Sequence, residues 1–285
     1  MSAFLLFNGQ LVHADSFSLS VQNRSFRYGD GIFETIRCIE GQPLWLGYHL
    51  ERLHRSAGIL GITLPESLNN PQLHQSISLL LEKNGHIQGT RVRLTFFRSE
   101  GGLYTPENNQ GHYLIESQEL NQHHYALNTK GLYLDVYPDE KKTAGFLSSM
   151  KGTSAILYVM ASRYARLHGW DDALILNEKG FVAEATSSNI FMVAENRLYT
   201  PATDQGGVEG VMKKVLMDIA AKNNLKVTEC ALTTNDLLKA DEIFLSNTIK
   251  GIQWVKGIQH KRFYHDMASH LMALLRETTI KLANQ

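Results

Sequence analysis

A lysine set among small residues, in Ser148-Ser149-Met150-Lys151-Gly152-Thr153-Ser154, is one place in this sequence where covalent chemistry could sit. A lysine amine forms an imine only when much of it is neutral, which burial or a neighbouring positive charge brings about. The local pattern alone does not single out Lys151, although most of the other lysines read as surface residues. Glu184 is a second such place, leading into Ser187-Ser188-Asn189 through small, uncharged residues. A carboxylate is costly to bury there without a cationic partner, and a protonated ring nitrogen would supply one. A glutamate at a surface turn accounts for the same residues. Gly206-Gly207-Val208-Glu209-Gly210, running into a helical pattern, is the third. Amides converge at such an entry, and the helix dipole favours an anion such as phosphate. This is neither a Walker loop nor a dinucleotide fingerprint, and a plain loop before a helix explains it as well.

The elements that must position these residues fall into two groups. In the first half, strands at Phe4–Phe7 and Gln10–His13 flank an Asn8-Gly9 turn. A stronger strand at Ile32–Ile39 closes at Glu40-Gly41 and re-enters at Pro43–Leu46. Leu50, Leu53, Ala57 and Leu60 form one stripe of a helix over Tyr48–Leu60. A second helix spans Pro71–Asn84, with Pro71 in its first turn and Gly85 just past its end. Strands follow at Arg91–Phe97 and His112–Ser117. Between them Gly101-Gly102, beside Arg98, reads either as a mobile substrate-facing loop or as an inert hairpin turn.

The pattern then dissolves into polar residues, which predicts a domain (1–120), a linker (121–128) and a second domain (129–285). His112, His123 and His124 stand there without carboxylate or cysteine partners, so no metal site is expected. In the second half a strand at Gly131–Tyr137 precedes a helix over Ser154–Leu167. Strands then fall at Ala173–Leu176, Phe181–Ala183, Ile190–Val193 and Arg197–Thr200. A helix over Val211–Asn223 leads to strands at Lys226–Cys230, Glu242–Ser246 and Gln253–Val255, and a last helix runs from about His265 to Ala283. Both halves are α+β.

Composition narrows the function classes. At 285 residues the chain has room for two domains. Its 28 basic and 28 acidic residues balance, with no block of like charge, so no nucleic-acid partner is expected. Lys213-Lys214 reads as a solvated helix face. Cys38 and Cys230 lie far apart without metal-ligand spacing and read as reduced thiols. The N-terminus lacks a basic segment before its short apolar run, and no apolar stretch reaches membrane-span length. A soluble, cytoplasmic protein with no membrane partner is the expectation.

Six segments follow one another in order: FRYGDGIFETIR (26–37), HLERL (49–53), SMKG (149–152), EATSSNIFMV (184–193), GVEGVMKKVL (207–216) and FLSNTIKGIQWV (244–255). Together they resemble the signatures of the class IV aminotransferase family across nearly the whole chain. Glu184 follows Lys151 by 33 residues, a separation of the order usual in that family. The family contains branched-chain aminotransferases, D-amino acid aminotransferases and 4-amino-4-deoxychorismate lyases. The resemblance implies a two-domain α+β enzyme of fold type IV that uses pyridoxal 5′-phosphate. In the family the active site lies at the domain interface and is finished by a second subunit, so a homodimer acting on a small molecule is implied.

Carried over residue by residue, Lys151 would hold the cofactor covalently and then move protons as general base and acid. Glu184 would bind the pyridinium nitrogen, keeping the ring an electron sink. Arg52 would clamp the phosphate, helped by the amides of Val211 and Met212 and the Thr248 hydroxyl. Ser188 and Asn189 would stand on the cofactor side. Tyr28, Arg37, Arg98 and Asn247 would face the substrate.

Departures from the family pattern bear on the activity. Met212 stands where many relatives have threonine, so only its amide can serve. Lys151 lacks the asparagine-tyrosine that follows in typical branched-chain enzymes, and Trp254 replaces the proline usual in the lyases. Glu34 is widespread and does not discriminate. The NTIKGI turn and the missing branched-chain signatures favour 4-amino-4-deoxychorismate lyase. An amino acid aminotransferase of branched-chain or D-amino acid type is the alternative.

Overall fold

The computed structural model describes residues 3–283, which cluster into two units. The first takes in the chain as far as His124, together with Met150–Ser154 and the chain from Lys281 onward. The remainder forms the second. The division at His124 falls inside the polar stretch 121–128, but Lys151 groups with the first unit, whereas the sequence placed it in the second domain.

The first unit holds β1 (Phe4–Phe7), β2 (Gln10–His13), α1 (Arg24–Tyr28), β3 (Gly31–Ile39), β4 (Gln42–Pro43), α2 (Leu46–Leu60), α3 (Asn70–Asn84), β5 (Gly89–Arg98) and β6 (Gly111–Glu119). Its sheet runs β2-β1-β6-β5-β3-β4, every pair antiparallel. Along β5, Val92, Leu94 and Phe96 are fully buried, while Arg91, Arg93 and Thr95 between them are less so. That period-two alternation gives the sheet one core face. Leu50, Leu53 and Ala57 of α2 and Leu73, Ile77 and Leu80 of α3 join the same core. Asn69 caps α3 by accepting from the Gln72 amide at 3.2 Å, and Gly85 ends it in the left-handed region at φ +69°.

The strand expected to continue over Pro43–Leu46 stops at Pro43. Trp45 takes a left-handed φ of +51° and Leu46 starts the helix. Met150–Ser154 lies extended beside β3: the Phe33 amide donates to the Lys151 carbonyl and the Thr153 amide to the Gly31 carbonyl, both at 2.9 Å. These bonds hold the segment in extended form, which is why the helix read from Ser154 starts only at Ile156.

The second unit contains β7 (Leu132–Val136), α4 (Ile156–Leu167), β8 (Asp172–Leu176), β9 (Val182–Ala185), β10 (Asn189–Ala194), β11 (Arg197–Pro201), α5 (Val211–Lys222), β12 (Val227–Cys230), α6 (Thr234–Lys239), β13 (Glu242–Asn247), β14 (Gly251–Ile258), β15 (Lys261–Arg262) and α7 (Asp266–Ala283). Its sheet is mixed, in the order β12-β11-β10-β13-β14-β7-β8-β9, with β15 paired to β14. β7 pairs in parallel with both β14 and β8, and α4, between β7 and β8 in the chain, packs Ala161 and Ala165 against Ala173 and Ile175. Sequence periodicity missed α1 and α6, each too short to show a repeat; α6 is instead marked by a capping box of Thr233 and Asp236.

Lys213 corrects a further expectation. It is buried, its Nζ donating to the Pro201 carbonyl at 2.6 Å and to Glu229 at 2.7 Å, so α5 does not present it to solvent.

Candidate active site

In the first unit Lys151 projects from the extended segment beside β3, its Nζ 4.7 Å from the centre of the Phe33 ring. A cluster of charge is buried between β3 and α2. Arg52 grips Glu34 with two hydrogen bonds, Nε to Oε1 at 2.8 Å and Nη2 to Oε2 at 2.5 Å. His49, one turn earlier on α2, meets Glu34 Oε2 through Nδ1 at 2.6 Å. Burial alone would push the Glu34 carboxyl up, but Arg52 and His49 more than reverse this and hold it at about 2. Burial lowers the affinity of His49 for a second proton; Glu34 opposes that, while Arg52 and Lys151 add to it. A neutral His49 therefore donates from Nδ1, and its Nε2 is a buried acceptor with no partner among the described residues.

Four residues were expected on the substrate side, and three of them lie in this unit. Tyr28 sits at the end of α1, its ring 5.7 Å from that of Tyr104 and 5.0 Å from the Arg24 guanidinium. Arg37 is buried in β3 and donates to the Gln122 carbonyl at 2.5 Å. Arg98 is held by partners within the same unit. Its Nε and Nη2 meet Asp30, Nη2 also reaches the Leu60 carbonyl, and Nη1 reaches the Gly61 carbonyl and Asn109. These bonds engage all five donors of the guanidinium.

Arg24 has the matching task. Its Nε binds Asp30 at 2.8 Å, and Nη1 reaches the carbonyls of Gly101 and Leu103 at 2.9 and 2.6 Å. Burial would push the Asp30 carboxyl up, but its two arginines pull it below the usual range. Arg24 thus ties the backbone of the loop at 101–104, while Leu103 and Tyr104 are exposed.

In the second unit Glu184 of β9 is 4% exposed. Its Oε1 accepts from Lys142 Nζ at 2.6 Å and from the Tyr158 hydroxyl at 2.7 Å; its Oε2 accepts from the Val208 amide at 3.1 Å. Burial, followed by the Glu184 charge, pushes the Tyr158 phenol far up, so Tyr158 acts as a donor.

The loop after Gly206 enters α5 through Gly210, which no side chain caps. The first amides of α5, those of Val211 and Met212, are groups a helix leaves without internal partners. Their side chains are buried, so only the amides can face a ligand. Asn189 braces this entry: its Nδ2 donates to the Val208 carbonyl at 2.8 Å, and a Cβ on residue 210 would come within 1.7 Å of its Oδ1.

Ser188 and Asn247 bond to each other at 2.9 Å, and Asn247 Oδ1 receives the amides of Ile249 and Lys250, so Asn247 shapes the β13–β14 turn. Thr248 lies in that turn, where its carbonyl accepts from Tyr125 at 2.5 Å. Sequence reasoning missed Lys142, Tyr158, His49 and the pairing of Glu34. Lys142 follows another lysine in a charged run and offered no signal of burial.

A family model described as amino-transferase class IV matches residues 31–258. The chain belongs to the class IV aminotransferase family. These enzymes depend on pyridoxal 5′-phosphate and act as transaminases or lyases, and this chain is one of them.

Aminodeoxychorismate lyase of Vibrio harveyi is 30% identical over 83% of this chain and 86% of its own length. A provisionally named branched-chain-amino-acid aminotransferase of Methanocaldococcus jannaschii is 28% identical over 95% of this chain and 93% of its own length. D-alanine aminotransferase of Bacillus licheniformis is 26% identical over 86% and 84%. Among solved structures, the branched-chain aminotransferase of Thermoproteus uzoniensis with norvaline superposes with a TM-score of 0.89 at 24% identity, covering 97% of this chain and 94% of that one. The relatives thus span both reaction types.

The residues present fit the cofactor. Glu184 keeps an acceptor position on Oε2 for a ring N–H, since among the described residues that oxygen receives one hydrogen bond, from an amide. The uncapped, glycine-entered start of α5 suits a phosphate. No helix among the described residues is long and apolar enough to cross a membrane.

Proposed function

We propose that this enzyme is a 4-amino-4-deoxychorismate lyase, releasing pyruvate and leaving p-aminobenzoate. The observation that carries this reading is the 30% identity to the Vibrio harveyi lyase over most of both chains. The NTIKGI turn, built here on Asn247 and Thr248, and the absence of an asparagine-tyrosine pair after Lys151 favour it as well.

Lys151 would hold pyridoxal 5′-phosphate, Glu184 its ring nitrogen, and Arg52 with the Val211 and Met212 amides and Thr248 its phosphate. When bound, that cofactor supplies an electron sink for the carbon attached to the substrate amine. The amine of Lys151, displaced by the substrate's amine, would take the proton from the amine-bearing ring carbon itself. Loss of that proton, with cleavage of the ether bond, makes the ring aromatic. The enolpyruvyl group leaves, and a proton delivered to its methylene carbon gives pyruvate. The Glu34 carboxylate balances the Arg52 charge and fixes its guanidinium through two hydrogen bonds. Leu103 and Tyr104, beside Tyr28, offer apolar surface to a ring-bearing substrate.

The alternative is an aminotransferase, favoured by the Methanocaldococcus and Bacillus relatives. There Lys151 would return the proton to the cofactor side, and a 2-oxo acid would leave. A homodimer is part of the proposal; Phe146, Leu147, Ile156 and Val159 of the second unit are exposed apolar residues suited to a second copy. Sedimentation at micromolar concentration tests it.

The visible spectrum during titration with L- and D-amino acids separates the two activities. A spectrum unmoved by any of them, with pyruvate appearing from aminodeoxychorismate, supports the lyase. Conversion to the pyridoxamine form by one of them overturns it and names the donor.

A further inference from the structure

Glu184 is the carboxylate on which the proposed cofactor contact turns, and it does not stand alone. Three donors surround it, and they divide unevenly: two on Oε1 and one backbone amide on Oε2. The Oε1 pair is the stronger, because Lys142 brings a full charge at 2.6 Å and the Tyr158 hydroxyl approaches to 2.7 Å.

Each donor is fixed from behind. The Lys142 amide donates to the Leu176 carbonyl at 2.8 Å, tying its backbone to the end of β8, the strand on which Glu184 pairs with Ile175. Lys142 Nζ also donates to the Ser148 carbonyl at 3.0 Å and lies 5.4 Å from the centre of the Tyr158 ring. Tyr158 stands on α4, which packs on the same strand. Both side chains of the ion pair are nearly out of water, at 11% and 5% exposure, so their attraction is poorly screened.

We infer that Lys142 is a positioning residue for Glu184: with Tyr158 it occupies Oε1 and leaves Oε2 as the acceptor for the cofactor's ring N–H. This rests on the reading of Glu184 given above. A carboxylate oxygen accepts comfortably from two donors, and Oε1 has both. The carboxylate is thereby held in one plane, and its buried charge is balanced before any cofactor arrives. Losing Lys142 frees the carboxylate to turn and strips it of its partner, so the acceptor is no longer aligned.

The test is a double-mutant cycle on the full-length protein, read by pyridoxal 5′-phosphate affinity and by the visible band of the bound cofactor. Lys142→Met should weaken affinity by about tenfold or more and move the band, since a charge-assisted bond to the aligning oxygen is gone. Lys142→Arg should restore both to within about threefold. In a Glu184→Gln background Lys142→Met should cost less than about twofold, because its effect runs through that carboxylate. Tyr158→Phe, which removes a single oxygen, should shift the same two readouts in the same direction and covers the case in which Lys142→Met does not fold.

Equal loss of affinity in both backgrounds would make Lys142 a structural residue only and overturn the inference. So would variants at both positions with wild-type affinity and band. A wild-type protein that takes up no pyridoxal 5′-phosphate would overturn the Glu184 assignment itself, a result distinct from wild-type binding that is indifferent to Lys142.

Discussion

Glu34 ties β3 to α2 and balances the cation proposed to hold the phosphate, so Glu34→Gln probes fold and site together. The substitution keeps the shape and one acceptor oxygen but removes the charge, and its amide must face donors of Arg52 or His49. Breaking one side of a buried ion pair costs about 3–5 kcal/mol. A second route gives a similar magnitude: holding the carboxyl at about 2 instead of 4.5 is worth about 3 kcal/mol at neutral pH. The sign follows from the depressed value. This stabilisation is complete above pH 4.5 and is lost as pH falls toward 2.

The assay is urea unfolding of wild type and Glu34→Gln from pH 7 down to the acid limit. The difference between them should be about 3 kcal/mol at pH 7, or about 10 °C in Tm. It should shrink through the window from pH 4.5 to 2 as Glu34 takes up its proton. Taking the difference cancels the other carboxylates, including Asp30, which is lowered by its own arginines. A difference under about 1 kcal/mol at pH 7, or one that does not change across that window, would refute the reasoning.

Three further outcomes follow from other contacts. Gly210→Ala places a Cβ within 1.7 Å of Asn189 Oδ1; Asn189 must give up the Val208 carbonyl, and phosphate competition should show cofactor affinity falling about tenfold with the fold intact by circular dichroism. Arg24→Met removes the anchor under the carbonyls of Gly101 and Leu103, so limited proteolysis should cut at 101–104 about tenfold faster, while Arg98 still holds Asp30. Lys151→Ala should abolish covalent retention of pyridoxal 5′-phosphate after borohydride reduction, and peptide mapping of the wild type should find the label in residues 149–152; label elsewhere would sink the assignment.

Much of this protein is written locally. The apolar stripe of α2, the Asn69 and Gly85 ends of α3 and the alternation along β5 are properties of neighbouring residues, set by helix and strand periods. The segments around Lys151, Glu184 and Gly210 likewise lie within the stretch 31–258 that matches the family.

What the sequence did not contain is which distant side chains meet. Lys142 and Glu184 are 42 residues apart, and Glu34 and Arg52 are 18 apart on different elements. Only the backbone tie of Lys142 to the end of β8 and the packing of α2 on β3 bring these charges together away from water. The same holds for Arg98, whose bonds to Asp30, Asn109 and two carbonyls come from residues spread along the chain. Residues 150–154 run up to a helical pattern whose start read as Ser154. Backbone bonds to Gly31 and Phe33, more than a hundred residues earlier in the chain, hold them extended instead. Local propensity set the elements; the burial of charge, which needs partners from elsewhere in the chain, set the site.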